Sequence, residues 1–176
     1  MSVKRTIQRY AVPGFVVSLY YYSRSGTLIS PSARVQLTSR ISFGKNTVVK
    51  AFALVQTGGG RICLGRGCAV SAFDHISTGV GDVIIGDHVR IGPNSTIVGG
   101  SKGISRRDVL IVDQPEGDPK GIIIEDDVLI GANSVILPGS HLYKGSVVGA
   151  GSVVQGAVDE YAIVAGAPAR VIGSRE

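Results

Sequence analysis

The chain has 176 residues, 44% of them hydrophobic and 18% charged, with a mean hydropathy of +0.28. That is enough for one domain with a sizeable core, and it is too apolar for a disordered polyelectrolyte. Ten basic and no acidic residues precede Asp74, whereas the remainder holds 8 basic against 13 acidic residues. A one-sided basic half suits a phosphorylated ligand or an anionic surface, and equally a solvated face with no partner. The aromatic interleaving of single-strand binders is missing beyond Tyr10, Phe15 and Tyr20–Tyr22, which argues against nucleic acid.

In residues 1–28, Val12, Phe15, Val16, Val17 and Leu19 with Tyr20–Tyr22 predict a short helix after Pro13–Gly14. Its role is to cap an open sheet end that would otherwise expose strand edges. With Lys4, Arg5 and Arg9 it also suits peripheral contact with an anionic membrane. The apolar stretch Tyr10–Tyr22, broken by Pro13 and Gly14, is too short to span a bilayer, and the start lacks a secretory-signal pattern. Cys63 and Cys68 do not make a disulfide framework. A cytoplasmic location follows as the expectation, peripheral to the inner face of the membrane at most.

Residues 29–157 carry a repeat. From Phe43 an aliphatic or aromatic residue returns every sixth position: Phe43, Val49, Val55, then Leu64, Val70, Ile76, then Ile85, Ile91, Ile97, then Ile124, Ile130, Ile136, then Leu142, Val148, Val154, and finally Ile163. An earlier set, Ile29, Val35 and Ile41, is shifted by two. Small residues recur four after the apolar one, at Thr47, Cys68, Ser95, Ser134, Ser146 and Ser152. This is neither a helical period nor a simple strand alternation. Six residues make one short strand and one turn, and three such units make one coil of a parallel β-solenoid. The spacing lengthens at Val55→Leu64, Ile76→Ile85, Ile97→Ile124 and Val154→Ile163, each after the third unit of a coil. Insertions therefore leave at one corner, the largest as a loop over 99–121, and loops of that length are usually functional or disordered, or serve only to seal a subunit contact. Residues 158–176, with Pro168, end the repeat as a tail folding back as a strand or short helix. Gly58-Gly59-Gly60 is no phosphate loop, because no Lys-Ser/Thr follows.

The phrases "IGDHVRIGPNSTI", "IEDDVLIGANSVILPG", "GAGSVV" and "VAGAPARVI" occur in order. Over about Ile29–Gly173 the chain resembles the hexapeptide-repeat acetyltransferases, among them galactoside, maltose and serine acetyltransferases. The loop looks most like the sugar O-acetyltransferases of bacterial polysaccharide synthesis. The resemblance implies an all-β, left-handed parallel β-helix and a homotrimer with active sites between neighbouring subunits. It implies acetyl-CoA as co-substrate and direct acetyl transfer to a sugar or lipid-linked glycan acceptor.

Residue by residue, the carry-over is uneven. The family's catalytic His falls on Lys102, and its acceptor-side Asn falls on Ala72. Two residues are candidates for the chemistry. Lys102 serves as a base only if its pKa is depressed by about 3 units from ~10.4, and otherwise binds a phosphate or the oxyanion. His75, beside Asp74, has the near-neutral pKa that a general base needs. An amine acceptor that binds neutral needs no protein base, and a catalytically silent CoA-binding solenoid also fits the altered position. For the donor, the resemblance assigns the pantetheine to Ala132 and Ala150 and the CoA phosphates to Arg170, whose fork suits phosphate. The family's Thr-Lys pair and a later Arg fall on Gln155-Gly156 and Gly173, with Lys144 as a substitute base for phosphate. His88 and His141 read as surface turn residues. No metal site is expected: γ-type carbonic anhydrases share the solenoid, but His75, His88 and His141 have no close ligand spacing.

Overall fold

A computed structural model describes residues 12–117 and 119–176. Lys4, Arg5 and Arg9, expected to face a membrane surface, lie outside the described residues. Among the described residues no helix is long and apolar enough to cross a membrane.

The chain winds into a three-sided prism. The first face stacks Leu28–Ile29, Val48–Val49, Ala69–Val70, Arg90–Ile91, Leu129–Ile130, Val147–Val148 and Ala162–Gly166. The second stacks Arg34–Val35, Leu54–Thr57, His75–Thr78, Thr96–Val98, Val135–Ile136 and Val153–Val154. The third stacks Ile41–Phe43, Ile62–Leu64, Val83–Ile85, Ile122–Ile124, His141–Leu142 and Ala157–Val158. All neighbours within these faces pair in parallel. The register places like on like: Ile97 meets Ile76 on one side and Ile136 on the other, all three 0% exposed. The inward column is thus a stack of branched aliphatics, each worth about 1.5–3 kcal/mol on burial. The small residues Thr47, Cys68, Ser95, Ser134, Ser146 and Ser152 are buried inside the corners. There the hydroxyls of Ser95, Ser134 and Ser152 bond backbone oxygens, as Ser134 Oγ does to Gly149 O at 3.0 Å.

The sixfold spacing is obeyed almost as the sequence predicts, with two corrections. The gap Val154→Ile163 is no insertion. Val158 closes the third face after a short unit and Val164, not Ile163, turns inward against Val148. Conversely, the shift between the early set and Phe43 is an insertion, because the strand Ile41–Phe43 buries both its ends. The long connections Val35→Phe43, Val55→Leu64, Ile76→Ile85 and Ile97→Ile124 all leave between the second and third faces.

Parallel pairing also runs past residue 157, through Ala157–Val158 and Ala162–Gly166. A return strand, Ala169–Ser174, then pairs antiparallel with Ala162–Gly166 and covers that edge. At the other end the helix Gly14–Ser25 buries Val17 and Tyr21. The Tyr21 ring meets Phe43 edge-on at 5.1 Å and its hydroxyl donates to Gln36 O at 3.1 Å. Burial pushes the Tyr21 hydroxyl pKa up to about 12. Gly26, left-handed at φ 68°, ends the helix, its N–H donating to Tyr22 O.

Because the coils add up one by one, a gap in the inward column is felt by both neighbours. Ile97→Ala is expected to lower unfolding stability by about 2–5 kcal/mol in urea titration. A loss under about 1 kcal/mol would mean that the column is not what holds the coils together.

Candidate active site along one corner

The corner between the first and second faces repeats one conformation. Phe52, Phe73, Asn94 and Asn133 have φ of 63°, 64°, 60° and 58°, and Gly151 has φ 70°. The corners are laced coil to coil: Asn94 N donates to Ala72 O at 3.0 Å, Asn133 N to Pro93 O at 3.0 Å, and Gly151 N to Ala132 O at 2.8 Å. The spacing between coils is tight. A Cβ on Gly131 would meet Ala150 N at 2.4 Å, so the backbone there admits no side chain.

Ala132 and Ala150 therefore lie one above the other on this corner, flanked by Asn133 and Gly151. Gly149 packs under Ala165, with 3.0 Å between the Ala165 Cβ and the position a Gly149 Cβ would take. Ala165 pairs across the return hairpin with Arg170, which is exposed. The fold thus brings Ala132, Ala150 and Arg170 to one seam that ends on a solvent-facing guanidinium.

Two coils above, the corner changes chemistry. The position that Ala53, Ser95, Ser134 and Ser152 fill elsewhere is taken by Asp74, 0% exposed. Its carboxylate accepts from Ser71 N at 2.6 Å and from Ser95 N at 2.9 Å, pinning its own corner to the next coil. Burial pushes its pKa up to about 7, against the pull of these two N–H groups and of the Lys50 charge. His75 follows on the second face, its ring half-buried beside Gln56, with the two Nε2 atoms 3.3 Å apart. Both of these Asp74 partners are backbone N–H groups.

Lys102 sits in the loop that leaves after Thr96–Val98. Its Nζ is 3.1 Å from Glu116 Oε1, and the two residues form an antiparallel bridge. Gly103 N to Pro115 O and Gly117 N to Ser101 O extend this narrow ribbon. Buried Gln114 ties the loop inside, donating from Nε2 to Arg106 O and Val109 O and accepting from Arg106 N. The tip carries Ile104, Leu110, Ile111 and Val112, each at least 60% exposed.

His88 takes the left-handed turn position, at φ 60°. His141 does not: it lies in a third-face strand, Nε2 2.8 Å from Glu125 Oε1, its ring stacked on Tyr143 at 3.9 Å. The partners are brought in from the preceding coil and from two residues on, which a turn-like "PGSHLY" does not reveal. Among the described residues no three of His, Cys, Asp and Glu gather as a metal site.

The profile described as the hexapeptide repeat of succinyl-transferase matches residues 82–105 and 121–155. Over those residues the chain is similar to the hexapeptide-repeat acyltransferases. It is 41% identical over 87 residues to a 2,3,4,5-tetrahydropyridine-2,6-dicarboxylate N-acetyltransferase of Staphylococcus aureus, covering 49% of this chain and 31% of that one. The chain thus spans about a third of the length of the curated relatives it matches. A hexapeptide-repeat acetyltransferase of Vibrio cholerae, solved with acetyl-CoA, superposes over 98% of this chain and 83% of its own, with a TM-score of 0.60 and 25% identity. AntD, an N-acyltransferase from Bacillus cereus solved with dTDP and 3-hydroxybutyryl-CoA, superposes over 86% of this chain and 81% of its own, with a TM-score of 0.75 and 24% identity. The fold of the chain is accordingly the left-handed parallel β-helix of these solved relatives.

The Asp74 corner gives a pH test within this fold. A carboxyl whose folded pKa lies above its unfolded value holds a proton that the unfolded chain has released. Stability then falls as pH rises from about 4 to about 7, by on the order of 4 kcal/mol, and is flat above. Asp74→Ser, which installs the residue of the neighbouring corners, is expected to remove this slope in denaturant titrations between pH 4 and 8. A slope that persists in Asp74→Ser assigns the effect to another group.

Proposed function

We propose that the protein is an acetyl-CoA-dependent acetyltransferase acting on a sugar acceptor, with the donor in the seam of Ala132, Ala150 and Arg170. The observation that carries this reading is the alignment of that seam in one chain with the exposed Arg170 guanidinium at its end. Small corners let the pantetheine amides reach backbone groups, and the exposed guanidinium suits the CoA phosphates. The superposition on a relative solved with acetyl-CoA supports the same donor.

The acceptor's nucleophile attacks the thioester carbonyl. A new bond to carbon forms and the C–S bond breaks. In this reading His75, which stands on the second face directly after the Asp74 corner, takes the proton from the nucleophile and passes it to the departing thiolate. Lys102 takes a different part: its ammonium, paired with Glu116, orders the insertion loop. An amine acceptor is favoured over a hydroxyl, since it needs the least help from a base, and two of the named relatives are N-acyltransferases. The apolar tip of Ile104, Leu110, Ile111 and Val112 supports the expected homotrimer, where a second protomer covers it. A role in polysaccharide biosynthesis fits such an acceptor.

A second reading rests on one observation. His141 and Glu125 form a histidine–carboxylate pair, the arrangement that orients a general base. In that case the base comes from the third face of a neighbouring protomer.

Thiol release from acetyl-CoA with 4-amino sugar nucleotides tests the proposal. His75→Ala is expected to lower kcat about 100-fold or more with little change in the KM for acetyl-CoA. If His141→Ala does so instead, the second reading holds. Calorimetric titration with CoA tests the donor seam separately: Arg170→Ala should weaken binding about tenfold. Unchanged binding removes Arg170 from the site.

A further inference from the structure

Phe52 and Phe73 stand where the corner expects Asn or Gly. Both have the left-handed backbone that bulky side chains avoid, and the equivalent residues below are Asn94, Asn133 and Gly151. Neither ring gains burial for this, since they are 59% and 60% exposed. Instead they lie nearly parallel to one another, centroids 5.2 Å apart and planes 17° apart. Strained backbone and exposed aromatic surface on two successive coils produce one thing, a flat apolar shelf at the edge of the prism.

The shelf adjoins a hollow of about 920 Å³ that Phe52 lines together with Arg34, Gln36, Gln56 and Thr57. That is the size of a site for a small organic ligand. Arg34 supplies the cation of this hollow. His75 and Gln56 meet on the adjacent strands of the same face. The shelf also continues the column that runs down to Ala132 and Ala150.

We propose that Phe52 and Phe73 form the stacking platform for the base of a nucleotide-linked sugar, with Arg34 facing its diphosphate. The inference rests on the acyltransferase reading and specifies its acceptor. The base stacks on the upper corner, the donor occupies the lower corner, and the sugar amine lies between them beside His75. A pyrimidine ring matches a shelf of two phenyl groups in planarity, and stacking on aromatic side chains is tolerant of base identity. The absence of acidic residues before Asp74 leaves this end of the prism attractive to a diphosphate.

Calorimetric titration of the full chain with dTDP, inorganic pyrophosphate and CoA, each alone, tests the platform. The informative variant is Phe52→Asn/Phe73→Asn, which places at both corners the residue that Asn94 and Asn133 already accommodate. It is expected to weaken dTDP binding roughly ten- to hundredfold, leave pyrophosphate and CoA binding within about twofold, and raise the melting temperature. Phe52→Tyr/Phe73→Tyr should keep dTDP binding near that of the parent. Unchanged dTDP affinity in the Asn variant overturns the proposal, as does a parent protein that binds pyrophosphate as tightly as dTDP. A change of oligomeric state in the Asn variant by analytical ultracentrifugation overturns it too, by assigning the rings to a contact between protomers. A parent that binds CoA but not dTDP sinks the platform and leaves the acyltransferase standing; one that binds dTDP but not CoA does the reverse.

Discussion

The register of the inward column governs everything else in this molecule. Ile76, Ile97 and Ile136 lie one directly over another because each coil has the same cross-section. A branched side chain fills its layer only if the corners on either side turn in the same place. The corners are therefore forced into equivalence, and with them the left-handed residues Phe52, Phe73, Asn94, Asn133 and Gly151. The seam is a by-product of core packing: an outer edge is straight because the inner stack is straight.

That equivalence explains where chemistry enters. A solenoid that repeats perfectly offers the same surface at every level and so recognises nothing in particular. Specificity requires departures, and the fold restricts them to positions the column does not use. One set is the corner between the second and third faces, where chain can be added without disturbing a face; Arg40–Gly59 and Arg61–Asp82 contacts link successive insertions there. The other set is the first corner itself, where the usual small inward residue becomes Asp74 and the usual outward Asn becomes Phe. Two of the four insertions, Val55→Leu64 and Ile76→Ile85, fall on the coils that carry Phe52 and Phe73.

The sequence makes the regular part legible and the irregular part less so. A period of six, with small residues four positions on, predicts the inward column and the filled corners, because each is a local pattern repeated many times. The inward residue at Val164 is harder to see, since Ala162–Gly166 alternates with a period of two and both Ala162 and Val164 point in. The donor seam is readable through the family phrases, which carry Ala132, Ala150 and Arg170 in order. The Phe52–Phe73 stack is not, because two residues 21 apart in sequence become neighbours only once the nine-residue insertion spacing of their coils is known to match. His141 with Glu125 escapes for the same reason: the contact runs between coils, whereas its sequence neighbours describe a turn.

The buried Asp74 shows how a departure is made tolerable. A serine at this corner spends its hydroxyl on backbone oxygens, as Ser95 Oγ does with Gly92 O and Gly131 O. A carboxylate has only acceptors and must find backbone N–H groups instead, which it does at Ser71 and Ser95. Those bonds reverse the polarity of the corner and lock it to the coil below, between Phe73 on one side and His75 on the other. A residue that costs stability as the pH rises is thus placed where two exposed side chains need a fixed backbone. The neighbouring corners, held by serine, would leave the fold more stable and the shelf and imidazole less firmly set.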